Sequence, residues 1–426
     1  MTCVFPSKRV RRALAGIIVA AAAGCAGAAP TEPGSPPAEL QALPRPLTSS
    51  EQRIVDAGND FSFALFRRLS EAQPGSGVFV SPLSASMALG MTMNGAAGAT
   101  FDAMRQTLGF GSTDEQQING GYHGLLALLR GLDASTQLEV ANSIWYRQDL
   151  AVNPSFLQTT RSAFDAEVRA LNFADAPGTL AAVNGWVNDK THGKIPSILE
   201  SVDPSDVMYL LNAIYFKGSW RDRFDPRQTR DASFHAADGS TQPAKLMHRQ
   251  AAMLYGSTSR FQAAELPYGN GAFAMTILLP SDGTNIDDFT ASLNRSDWNS
   301  WTAQLKTQEV ILDLPRFTLS YERMLNDDLS AMGMGIAFDR QRADFSRIAS
   351  VSADQRLFIS FVKQKAYVDV NEEGTEAAAV TIVGIGVTSA PAIPTMRVDR
   401  PFVFVIRERL SGTVLFMGKI TKLPSS

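Results

Sequence analysis

The chain has 426 residues, of which 45% are apolar, 19% charged and 9% aromatic, a balance that fits a folded globular protein and excludes the disordered and fibrous classes. With 39 Lys and Arg against 42 Asp and Glu the net charge is -3, so the chain offers neither the basic footprint of a nucleic-acid binder nor a polybasic membrane patch. Both cysteines, Cys3 and Cys25, lie in the first 25 residues, which leaves the body without a disulfide or a thiolate metal cage.

The N-terminus reads as a targeting segment. Lys8, Arg9, Arg11 and Arg12 precede an uncharged apolar stretch at 13–23, too short to span a bilayer. Residues 1–24 are expected to be a signal peptide and the protein to be exported. Ala22-Ala23-Gly24-Cys25 resembles a bacterial lipobox, in which Cys25 would be lipidated and become the first mature residue. Ala22 departs from the leucine usual there, and ordinary secretory cleavage nearby is the alternative. Pro30, Pro33, Pro36, Pro37, Pro44 and Pro46 predict an extended tether over 25–50.

The body, 51–426, shows no second linker, fixed-period repeat or low-complexity run, which implies one cooperative unit. Helical spacing of Ile54, Val55, Phe61, Ala64, Leu65 and Leu69 predicts a helix over 54–70, and a second opens over 84–93 behind Ser81-Pro82. Runs of β-branched and aromatic residues predict strands at 138–146, 207–217, 272–279, 310–317, 357–370, 402–406 and 414–420. Helices early and strands late, without regular alternation, argue for an α+β fold.

Motifs for catalysis are missing: no G-x-S-x-G elbow, P-loop, dinucleotide-binding glycine motif, H-E-x-x-H or C-x-x-C occurs. His123, His192, His235 and His248 include no pair at helical metal-binding spacing. Glu372 and Glu373, as neighbours in a strand, point to opposite faces and read as a surface charge pair. No cofactor, metal or catalytic residue is expected, and the protein is not expected to be an enzyme.

The segment behind Gly374 is anomalous. From Ala377 to Met396 it carries no charge, yet Gly384, Gly386, Pro391 and Pro394 break helices, so a strand is expected in place of a membrane span. At period two, Thr375, Ala377, Ala379, Thr381, Val383, Ile385 and Val387 make a core-facing side, small at its start, and Gly374 supplies a backbone hinge.

With the motifs Phe79-Val80-Ser81-Pro82-Leu83-Ser84, Leu211-Asn212-Ala213-Ile214-Tyr215-Phe216-Lys217-Gly218-Ser219-Trp220, Leu314-Pro315-Arg316-Phe317, Asn371 to Thr381, and Arg400-Pro401-Phe402 through Gly418 in this order, the chain resembles the serpin family from about Ile54 to Pro424. The resemblance implies three β-sheets, eight or nine helices, and an exposed reactive-centre loop after Gly374. That loop is bait for a serine protease and inserts into the central sheet once cut, leaving the protease trapped as an acyl ester. By resemblance the hinge is Glu373, Gly374, Thr375, Glu376, Ala377, Ala378 and Ala379, of inhibitory type. Ser81, Ser84, Asn212 and Trp220 would belong to the region where the sheet opens, together with Gln364, which stands where many members carry histidine. Counting from the hinge places the reactive bond at Thr388-Ser389, with Val387-Thr388 as runner-up. Without Arg, Lys or an aromatic residue there, the expected target is an elastase-like or subtilisin-like serine protease. The protein is expected to be a monomer, held to a membrane only through a lipid on Cys25, with a non-inhibitory interaction protein on the same fold as the alternative.

Overall fold

The structure, a computed structural model, describes residues 37–351, 356–375 and 393–424, with only the backbone of Thr375. The expectations for Cys25, Glu376, Ala377, Ala378, Ala379, Val387, Thr388 and Ser389 lie outside the described residues.

Helix α1 (Ser49–Ala72) begins where Thr48 accepts from the Glu51 amide and Glu51 reaches back to the Thr48 amide, so two orphan donors are satisfied at once. Hydrogen bonds from Arg45 hold the Glu51 carboxyl below its ordinary range, against the opposing effect of burial. The described part of the Pro-rich segment is laid along this body: Leu40, Leu43 and Leu47 pack against the core, the Leu40 amide donates to Asn270 O, and Pro37 O accepts from Arg221.

In chain order there follow β1 (Val78–Val80), α2 (Pro82–Met93), α3 (Gly98–Thr107), α4 (Glu115–Arg130), β2 (Thr136–Arg147), α5 (Pro154–Phe164), β3 (Ala166–Leu171), α6 (Ala176–Lys190) and β4 (Met208–Ser219). Then come β5 (Arg230–His235), β6 (Thr241–Ser257), β7 (Phe261–Pro267), β8 (Phe273–Pro280), α7 (Ile286–Ala291), α8 (Arg295–Gln304), β9 (Lys306–Pro315) and β10 (Phe317–Met324). The short helices α9 (Asn326–Leu329) and α10 (Gly335–Phe338), and strands β11 (Lys363–Val370), β12 (Gly374–Thr375), β13 (Thr395–Arg397), β14 (Phe402–Glu408) and β15 (Val414–Ile420), complete the described chain.

The described strands form three hydrogen-bonded sheets: nine strands in the order β1-β15-β14-β8-β7-β6-β9-β13 with β5 on β6, four in the order β12-β4-β2-β3, and the pair β10-β11. This is the α+β class expected, with two differences of boundary. The run expected at 310–317 is two strands that part at Arg316 and enter different sheets. The run expected at 357–370 pairs only from Lys363, because β10 ends opposite that residue and gives the preceding segment no partner.

The main core lies between the nine-stranded sheet, α1, α2 and one face of β2, β4 and β11. A second cluster covers the opposite face: Trp145, Tyr209, Leu211 and Ala213 pack under Val183, Trp186 and Val187 of α6 and under the strap that follows it, through Ile195, Ile198, Leu199 and Val202. Period-two alternation in β4 thus serves two apolar environments, one per face.

Candidate functional site

Strands β4 and β11 lie side by side and run the same way, yet among the described residues no ladder joins them. At one end Ser219 and Asn371 both pair with Gly374. Ten residues back along each strand, the rings of Tyr209 and Phe361 meet at 5.8 Å. Between these ends is a gap bordered by a strand edge on each side. Its far half widens into a cavity of about 90 Å³ floored by Ser84, Ala85 and Leu89 of α2 and walled by Leu210, Asn212 and Phe358. Unpaired strand edges attract a further strand.

That strand has begun to form. β12 pairs antiparallel with β4, Gly374 opposite Ser219 and Thr375 opposite Gly218. Only glycine fits at its first position: Gly374 has φ +136°, and a Cβ there would stand 2.6 Å from Ser219 Cα and 2.7 Å from Trp220 N. The Trp220 amide donates to Glu373 O at 2.8 Å and the Phe224 amide to Glu372 O at 3.0 Å, while Trp220 Nε1 donates to Asn371 O at 2.9 Å. Trp220, buried and stacked on Tyr268 at 4.4 Å, is the post from which the segment entering the gap hangs.

Glu372 differs from expectation. Glu372 is not a surface charge: it is 3% exposed, takes Arg316 Nε at 2.6 Å, and accepts from the Thr229 hydroxyl. A carboxylate this buried needs a cation, and the Leu-Pro-Arg-Phe motif supplies it. Sequence reasoning missed Arg316 and Thr229 in this role; the missed signal was an acid inside an apolar strand pattern, which demands a partner.

In the far half of the gap, Ser81, Ser84, Asn212 and Gln364 are brought together. The Ser81 hydroxyl caps α2 through the Ser84 amide and donates to Leu415 O. Gln364 Nε2 donates to Ser81 O at 2.8 Å and Gln364 Oε1 accepts the Ser81 amide at 3.2 Å, so one amide side chain clasps β11 to the helix start. Ser84 Oγ donates to Asn212 Oδ1, and Asn212 Nδ2 to Asn142 Oδ1 at 2.6 Å. Gln364 therefore has its own contact to α2. Trp220 belongs to the hinge end and is not part of this cluster. Asn142, also buried, was missed because a polar residue in a strand carries no mark of a partner on another strand.

The chain matches the model of the family described as serpin, serine protease inhibitor, over residues 56–423. It is similar to leukocyte elastase inhibitor A of Rattus norvegicus, 33% identical over 382 residues that cover 87% of this chain and 99% of the relative. Among solved structures it is similar to the thermophilic serpin tengpin in its native state, at 28% identity and TM-score 0.80, covering 89% of this chain and 96% of that one. It is also similar to human thyroxine-binding globulin complexed with its hormone, at 27% identity and TM-score 0.81, covering 88% and 100%. A sheet parted along its middle, a glycine-led strand at the mouth of the gap, and a family match over nearly the whole body together show that the chain belongs to the serpin family.

Proposed function

We propose that the protein is an exported inhibitor of an elastase-like or subtilisin-like serine protease, acting once per molecule as a suicide substrate. The observation that carries the reading is the gap, filled by none of the described residues, with β12 seated at its mouth. Continuing the β12–β4 register sets Glu376 opposite Lys217 and Thr381 opposite Asn212, with Thr375, Ala377, Ala379, Thr381, Val383 and Ile385 facing the α2 side. The small and then apolar side of the loop thereby meets the cavity above α2, and formation of a paired, buried strand supplies the free energy.

In this reading the protease serine attacks the carbonyl of Thr388, with Val387 as runner-up. The Ser389 amine leaves, and the acyl ester is carried along the sheet before water reaches it. Similarity to a leukocyte elastase inhibitor supports a target that accepts small or β-branched side chains. The protein would work as a monomer, either tethered by a lipid on Cys25 or released after ordinary signal cleavage.

Incubation with pancreatic elastase and with subtilisin, followed by a denaturing gel and mass spectrometry of the released C-terminal peptide, tests this. A denaturant-resistant band near the summed masses, with a peptide starting at Ser389, is expected. Cleavage by both enzymes without that band, and with no gain in heat stability of the cut chain, would favour a non-inhibitory binding protein on the same fold.

A further inference from the structure

The Gly374 strand and the Ser81–Gln364 clasp account for the mouth of the gap and the start of its far half, but its far end is closed by different contacts. The strap after α6 crosses the outer face of the gap. On the β4 side, Ile195, Ile198 and Leu199 pack with Tyr209 and Leu211, while Phe361 and Tyr367 from the other side pack against the same cluster. Two contacts of the strap reach the β11 side: Lys194 Nζ lies 5.3 Å from the centre of the Tyr367 ring, and Glu200 Oε1 lies 2.9 Å from Lys363 Nζ. Lys363 is only 12% exposed and binds a second carboxylate, Glu322 of β10, which also holds Lys365. Beneath them the Tyr209–Phe361 ring contact bridges the line of the gap itself.

We infer that the Glu200–Lys363 pair and the Tyr209–Phe361 contact form a lock on the far end of the gap and that this lock sets the rate of loop entry. A strand filling the gap has alternate side chains on the strap side, so the strap and the two rings must give way before the strand can run its full length. Glu200, Lys363, Tyr209 and Phe361 are positioning residues: they touch neither protease nor reactive bond. Neither the hinge nor the clasp at Ser81 contributes to this contact set. The inference rests on the reading of the protein as a loop-inserting inhibitor.

The test uses the full chain and the variants Glu200→Gln, Glu200→Asp and Phe361→Leu, with elastase or subtilisin, whichever the wild type traps. Three quantities are read: the association rate, the rate of loop entry after cleavage from stopped-flow tryptophan emission, and the half-time of spontaneous conversion of the uncut chain at raised temperature. For an ion pair in which one partner, Glu200, is exposed, the expected change in entry rate is about two- to fivefold. Glu200→Gln should speed entry and conversion by that factor with association unchanged. Added salt should speed the wild type but not Glu200→Gln, and Glu200→Asp should restore most of the wild-type rate. Phe361→Leu should speed entry by a further step. Unchanged or slower entry in both Glu200→Gln and Phe361→Leu would overturn the lock while leaving the inhibitor reading intact. A wild type that is cut yet neither traps a protease nor gains heat stability would overturn both.

Discussion

Replacing Gln364 by Leu keeps the volume of a 7%-exposed side chain but removes both of its hydrogen bonds to the Ser81 backbone. Ser81 is fully buried, so its amide and carbonyl would lose these partners with no water at hand. The Ser81 carbonyl keeps the Ala85 amide at 3.1 Å, so one buried group, the Ser81 amide, is left unsatisfied, at a cost of roughly 1–3 kcal/mol. The loss falls on the uncut state, because the clasp joins β11 to the first turn of α2 on the rim of the gap. The first transition in a urea titration should therefore move down by about 1–3 kcal/mol, and the uncut chain should lose inhibitory capacity faster at raised temperature. Gln364→His, which keeps a donor and an acceptor, should recover part of both. A Gln364→Leu protein within about 0.5 kcal/mol of wild type, inside the usual range for surface changes, would refute the idea that this amide holds the sheet together.

The other expectations address the hinge, the register and the N-terminus. Gly374→Ala puts a methyl group against Ser219 Cα and Trp220 N and strains a φ of +136°; a loss of about 1–3 kcal/mol and faster amide exchange at Ser219 and Trp220 are expected. Thr381→Arg would drive a charge into the α2 side of the gap, so the loop should still be cut at the normal rate but release the protease, whereas Ile382→Arg on the strap side should keep measurable trapping. The Glu51 carboxyl is held below its ordinary 4.5 chiefly by the Arg45 hydrogen bond. Its contribution is therefore complete above that pH and is lost as pH falls through the lower folded value; the first amides of α1 should exchange faster in that acid window, and Arg45→Gln should abolish the pH dependence.

Much of the fold is legible in the sequence because each signal is local. The Ser81-Pro82 start of α2 is a side-chain cap followed by a proline at a position that needs no amide hydrogen. β14 and β15 are largely apolar runs because they are covered on both faces. The gap is not legible in this way: β4 and β11 each have sound strand patterns, and nothing in either shows that they lie adjacent without pairing. Glu372 escaped for a related reason, since its partners Arg316 and Thr229 lie 56 and 143 residues away and only the fold brings them together. Tyr209 and Phe361 likewise read as ordinary core until their rings are seen to meet across an open seam.

The parallel pairing of β13 with β9, Thr395 opposite Ile311 and Arg397 opposite Asp313, has a consequence for timing. It fastens the chain at 393–397 to the same pole as Arg316, whose guanidinium holds Glu372. A loop drawn in as an extended strand from Gly374 to Thr388 would run about 45 Å toward the opposite pole, past the far end of the gap, at roughly 3.3 Å per residue. The five residues from there back to Ile393 could span only about 18 Å at full stretch. The intact chain could not carry Thr388 to the end of that path while β13 stays in place, and a severed peptide bond would supply the missing length. In the proposed inhibitor, covalent continuity would thus be the safety catch: the energy of strand formation would become available only once a protease has cut, and a molecule that has fired could not be reset.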